Sequence, residues 1–198
     1  MTPPNAHASS IATETGTGIP SAKLAMWLFL ASEVMFFTGL LGASIVLRSG
    51  FPEWPKPGEA LHIPLAALNT FILLSSSMTM AMGVAAVHRM DVKRLRFFLL
   101  ATILLGGAFL GVKGIEYAQK FAHGHFPGTG LFWDCYFTLT GCHGLHVLAG
   151  VITNLWIFRL TFKSDFLEGK GHFVEISGLY WHFVDLVWIF LFPYLYLM

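Results

Sequence analysis

Residues 24–47 read LAMWLFLASEVMFFTGLLGASIVL, an apolar run bounded by Lys23 and Arg48 and interrupted by one charged residue, Glu33. An α-helix rises about 1.5 Å per residue, so about 20 residues cross a ~30 Å hydrocarbon core. The run is long enough to do so. It is also too long for the apolar part of a signal peptide and shows no convincing small-residue cleavage pattern, so it reads as a retained membrane anchor.

Four further runs of the same kind follow, at about residues 63–87, 97–118, 131–158 and 173–197. The connections, RSGFPEWPKPGEALH, HRMDVKRLR, QKFAHGHFPGTG and RLTFKSDFLEGKGH, are short and hold the Pro, Gly and charge that the runs lack. They leave no room for a separate soluble domain. The fold expected is all-α, an integral membrane bundle of five transmembrane helices over residues 23–198. The small, polar residues 1–22 are expected to form a mobile tail, because they cannot bury enough surface to offset the entropy of ordering.

Composition agrees. Of the 198 residues, 55% are hydrophobic and 15% aromatic, and the mean hydropathy is +0.65, whereas soluble domains average about 45–50% apolar. Lys and Arg number 12 against 11 Asp and Glu, which provides no electrostatic footprint for nucleic acid. Cys135 and Cys142 lie two helical turns apart, about 10 Å along the axis, too far for a disulfide. Iron–sulfur and haem-attachment patterns are missing from the sequence, so no covalent cofactor site is expected.

Basic residues set the expected orientation. Lys23, Arg89, Lys93, Arg94, Arg96, Arg159, Lys163 and Lys170 fall on one side and outnumber Arg48, Lys56, Lys113 and Lys120 on the other, which predicts N-in/C-out. Trp27, Trp54, Tyr117, Trp133, Tyr194 and Tyr196 lie near proposed span ends, where amphipathic rings prefer the interface. Small residues recur as Gly39, Gly42 and Ala43, as Ser75, Ser76 and Ser77, and as the G-x-x-x-G pair Gly107 and Gly111, suggesting close helix contacts. The plainer reading is that Gly is common in membrane helices.

Ionisable groups inside the spans are costly and are the first candidates for function. Glu33 stands about 15 Å beyond Lys23 along a helix, close to mid-bilayer, and is expected to be neutral, paired or turned to a polar cavity. His143 and His146 share one face of the fourth helix, and His182 and Asp185 share one face of the fifth. Together with Glu33 they supply the residue types of a metal site. Buried polar pairing between helices is the plainer account and needs no metal. Glu116 is placed to pair with Lys113 one turn earlier. At the opposite interface, Arg159, Lys163, His172 and Glu175 are candidates for holding a phospholipid headgroup, with Trp181 a further possible contact; a simple positive-inside loop accounts for the charge equally well.

Five segments carry a more specific signal: ASEVMFFTG (31–39), ALNTFILLSSS (67–77), GIEY (114–117), TGCHGLHVLAG (140–150) and YWHFVDLVWIF (180–190). In order and spacing they resemble the signature segments of subunit III of the haem–copper oxidases, in the five-helix bacterial form. The resemblance implies a non-catalytic subunit of a proton-pumping terminal oxidase in a bacterial cytoplasmic membrane. It implies direct contact with subunit I, with subunit II also in the complex, haem and copper held by those partners and not by this chain, bound phospholipid, and support of proton uptake by subunit I. Glu33 matches the family's buried, carbodiimide-reactive glutamate. Two other functions compete. One is the related accessory membrane protein of nitric oxide reductase. The other is a standalone transporter built on Glu33, His143, His146, His182 and Asp185, which predicts inverted repeats or broken helices.

Overall fold

A computed structural model of the chain describes residues 21–51, 54–55, 61–163 and 166–198. Most of the expected tail, residues 1–20, lies outside them, as does Lys56. Among the described residues the structure is all-helical: α1 (Ser21–Gly50), α2 (Ile63–His88), α3 (Val92–Ala122), α4 (Leu131–Leu160), the short α5 (Phe166–Lys170) and α6 (His172–Phe192), which runs on as one π-helical turn, Pro193–Leu197. Five of these are long and apolar enough to cross a membrane, α6 being counted with its π-helical turn.

The helices overrun the apolar runs that predict them. Charged side chains do not stop backbone hydrogen bonding, and α3 therefore starts at Val92, taking in Lys93, Arg94 and Arg96. Its first turn is capped by Asp91, whose Oδ1 accepts from the Arg94 N–H at 3.1 Å. Just before the cap, Met90 takes φ 55°, which reverses the chain in a tight turn. Pro64 opens α2 in the first turn, where its missing N–H costs nothing. Pro193 interrupts α6, and the wider turn is closed by Met198 N–H donating to the Pro193 carbonyl at 3.0 Å.

α2, α3, α4 and α6 form a ring in which each packs on the next, while α1 lies outside it against α4 and α6. The seam depends on one large residue. Trp181 of α6 is 1% exposed and lies between glycines of α3 and α4: a Cβ on Gly106 would stand 2.7 Å from its ring, and one on Gly150 also 2.7 Å. Its Nε1–H donates to Ser76 Oγ of α2 at 3.0 Å. Trp181 thus ties α6 to three helices at once. This removes it from the expected lipid contacts, because its indole is enclosed by protein.

The small residues singled out in the sequence mostly point elsewhere. A Cβ on Gly39, Gly42, Gly107 or Gly111 would meet nothing within 4 Å. The close helix contacts belong to Gly106, Gly150 and Gly178, the last with 3.0 Å to Val84 Cγ2. Lipid offers no hydrophobic drive between helices, so such van der Waals fits and interhelical hydrogen bonds carry the association.

Candidate functional site

The densest polar assembly inside the bundle is built on α3. Lys113, Glu116 and Lys120, at i, i+3 and i+7, share one helical face, and that face looks into the ring. Glu116 is 2% exposed. Its Oε2 accepts from Lys113 Nζ at 2.9 Å, and its Oε1 accepts from the Tyr136 hydroxyl at 2.8 Å and the Tyr196 hydroxyl at 3.0 Å. Lys113 also donates to the Tyr196 hydroxyl at 2.6 Å, and its ammonium sits 4.7 Å from the Trp188 ring centre. Lys120 Nζ lies 3.9 Å from Glu116 Oε1 and 5.1 Å from the Trp133 and Tyr136 ring centres. The carboxylate is thus saturated by donors from α3, α4 and the last turn of the chain. Such pairing makes a charge tolerable at this depth.

Glu33 and His146 form a second, separate assembly between α1 and α4. His146 Nε2 is 3.1 Å from Glu33 Oε2, and both side chains are about one-fifth exposed. His146 Nδ1 lies 2.8 Å from the Cys142 carbonyl oxygen. A carbonyl only accepts, so Nδ1 carries a hydrogen, and the Nε2 to Oε2 hydrogen bond then needs one further proton. The pair therefore holds that proton either as imidazolium and carboxylate or as imidazole and carboxylic acid. Glu33 is paired, as expected for its depth, but it lies half-buried at the edge of the bundle.

The other predicted groups do not converge. His182 is exposed and shares a hydrogen bond of 2.7 Å with Ser77 Oγ. Asp185 is buried near that hydroxyl, yet neither of its carboxyl oxygens has a hydrogen-bond partner among the described residues. His143 is fully buried, stacked on Trp188 with ring centres 5.0 Å apart and edge-on to Phe109, and its two nitrogens are likewise without partners. The expected single network of His143, His146, His182 and Asp185 is thus three separate environments. A spacing of i, i+3 leaves about 60° between two side chains around a helix, enough for His143 to lie against Trp188 and Phe109 inside the ring while His146 meets Glu33 of α1 outside it. No three His, Cys, Asp or Glu among the described residues form a group that could hold a metal ion.

At the N-terminal end of the bundle, Glu175 binds Lys23 of α1 and lies 3.7 Å from His88 of α2. It does not meet Arg159 or His172, both of which are exposed. The predicted headgroup set is therefore split, with Glu175 committed to tying three helices together.

Comparison with known proteins adds the decisive observation. The family model described as Cytochrome c oxidase subunit III matches residues 10–198. The chain belongs to the cytochrome c oxidase subunit III family. Among curated members, "Cytochrome c oxidase subunit 3" of Thermostichus vulcanus is 34% identical over 88% of this chain and 86% of its own length. "Cytochrome c oxidase subunit 3" of Corynebacterium diphtheriae is 37% identical over 85% and 84%. "Quinol oxidase subunit 3" of Bacillus subtilis strain 168 is 34% identical over 88% and 86%.

In this subunit III chain the Lys113–Glu116 pair was legible from its spacing. Lys120 in the same register was an available signal for the larger cluster. Tyr136 and Tyr196 were not foreseen as partners, because nothing local in the sequence brings the end of the chain back onto α3.

Proposed function

We propose that this chain is the non-catalytic subunit III of a proton-pumping haem–copper terminal oxidase, which reduces oxygen to water in aerobic respiration. The observation that carries the reading is the family match, which runs through all five spans. Relatives named as subunits of cytochrome c oxidases and of quinol oxidases match at similar identity, which supports a role common to both donor types. In this reading haem and copper reside in partner subunits, subunit I is in direct contact, and the membrane is the bacterial cytoplasmic membrane with the N-terminus inside.

Within that complex Glu33 and His146 are the pair suited to influence proton supply. They hold one transferable proton between two groups at the edge of the bundle, where a partner helix or ordered water reaches them more easily than it reaches the enclosed Glu116. Purification of the complex through a tag on this chain should yield haem absorption and oxygen consumption; nitric oxide reduction in its place would overturn the oxidase reading. For the pair itself, Glu33→Gln in the intact complex should hasten the decay of turnover. Unchanged activity, stability and proton uptake would remove Glu33 from the mechanism.

A further inference from the structure

The α2–α3 hairpin carries a feature that the buried clusters leave unused, and it gives the phospholipid expected from the family resemblance a specific place. Between the last turns of α2 and the first turns of α3 lies an open groove of about 540 Å³, within the roughly 300–1,000 Å³ of typical ligand sites. Met82, Ala85, Ala86, Phe97 and Phe98 form its apolar wall, and Arg89, Lys93 and Arg94 stand at the same groove. Phe97 and Met82 are exposed along its flank, so the groove opens sideways, towards where the hydrocarbon would lie.

The charges around it are unevenly matched. Arg94 pairs with Asp91 at 3.1 Å, and Asp91 also caps α3. Arg96 turns away, donating to the Thr161 carbonyl at 2.6 Å and lying over the Phe162 ring. His88 is directed to Glu175 on another face. The side chains of Arg89 and Lys93 have no hydrogen-bonding or ionic partner among the described residues. Three cations with one carboxylate between them therefore face an apolar groove at the membrane interface.

We infer that this groove binds an anionic phospholipid, with its phosphate between Arg89, Lys93 and Arg94 and an acyl chain along Met82, Ala85 and Phe97. A phosphate oxygen accepts charge-assisted hydrogen bonds from guanidinium and ammonium groups, basic clusters at the interface attract anionic lipid, and the apolar wall suits a chain that an aqueous anion lacks. That the lipid belongs to the inner leaflet rests on the proposed N-in orientation, whereas the chemistry of the groove does not.

The test uses the purified oxidase complex, delipidated and reconstituted into phosphatidylcholine nanodiscs containing phosphatidylglycerol, with retained lipid counted by native mass spectrometry. The double variant Arg89→Gln/Lys93→Gln should lose one phosphatidylglycerol per complex. Ala85→Trp, which fills the groove and leaves its charges in place, should lose the same lipid. Lys170→Gln, which removes an exposed charge on the other loop of that side, should retain it. Equal counts in wild type and the Arg89/Lys93 variant would overturn the assignment. So would the same loss in Lys170→Gln, since the effect would then be one of general surface charge. Loss of a protein subunit in place of a lipid would assign the groove to a partner chain and overturn it as well.

Discussion

Single side chains divide sharply between those that hold the bundle and those that only line it. Gly106 and Gly150 leave room for Trp181, and Gly106→Ala or Gly150→Ala should destabilise the protein by about 1–3 kcal/mol, the usual cost of overpacking a filled site. Gly107→Ala adds a methyl group where nothing lies within 4 Å and should change stability by less than about 0.5 kcal/mol. Thermal unfolding in one detergent distinguishes neighbours one residue apart. Glu116 is the other sensitive position. Glu116→Gln leaves the Lys113 ammonium enclosed without its carboxylate and should cost about 3–5 kcal/mol, while Lys113→Met in the same chain should recover much of the loss. Recovery separates a charge effect from a packing effect, since the second substitution removes still more native contact.

Among the five spans, α1 is the most loosely held. It reaches the ring through α4 and α6, and its polar ties are spaced along its length: Lys23 to Glu175, Glu33 to His146, and the Ser44 hydroxyl to that of Tyr194 at 2.7 Å. Arg48 adds a bond to the Met198 carbonyl oxygen. Most of its remaining surface, including Trp27, Met35, Phe36 and Val46, is exposed. Amide exchange in α1 should therefore outpace that in α6, whose Trp181, Val184, Trp188 and Leu191 are buried. Double-mutant cycles on Glu33 and His146 should give a coupling of about 0.6–1.7 kcal/mol, the range met by hydrogen bonds between membrane helices. A coupling near zero would mean that α1 is held by apolar contact alone.

For the molecule as a whole, the two ends of the bundle differ in charge. Lys23, Arg89, Lys93, Arg94 and Arg159 gather at the N-terminal end of α1 and Arg48 and Lys120 at the other, which argues for that first end being cytoplasmic. In right-side-out vesicles, a membrane-impermeant maleimide should modify His123→Cys, while Lys170→Cys should react only after the inner face is opened. The native thiols interfere little, as Cys135 is buried and Cys142 half-buried. The reverse labelling pattern would invert the protein and move the α2–α3 groove to the outer leaflet.

The number of spans, their approximate limits and the family were legible in the sequence. A bilayer makes a demand on each segment separately: it must be apolar for about 20 residues and must satisfy its own backbone, which leaves helix as the solution. Spacing also exposed the Lys113–Glu116 pair, because that contact lies within one helix. What spacing could not reveal was the inward face of each helix, since lipid-facing and protein-facing surfaces are both apolar and hydropathy has no contrast to report. Hence the G-x-x-x-G of Gly107 and Gly111 looks outward while Gly106 looks in, Trp181 is a core residue, and His146 meets Glu33 while His143 lies against Trp188. Such pairings depend on where four or five helices stand relative to one another. Only the tertiary packing decides that.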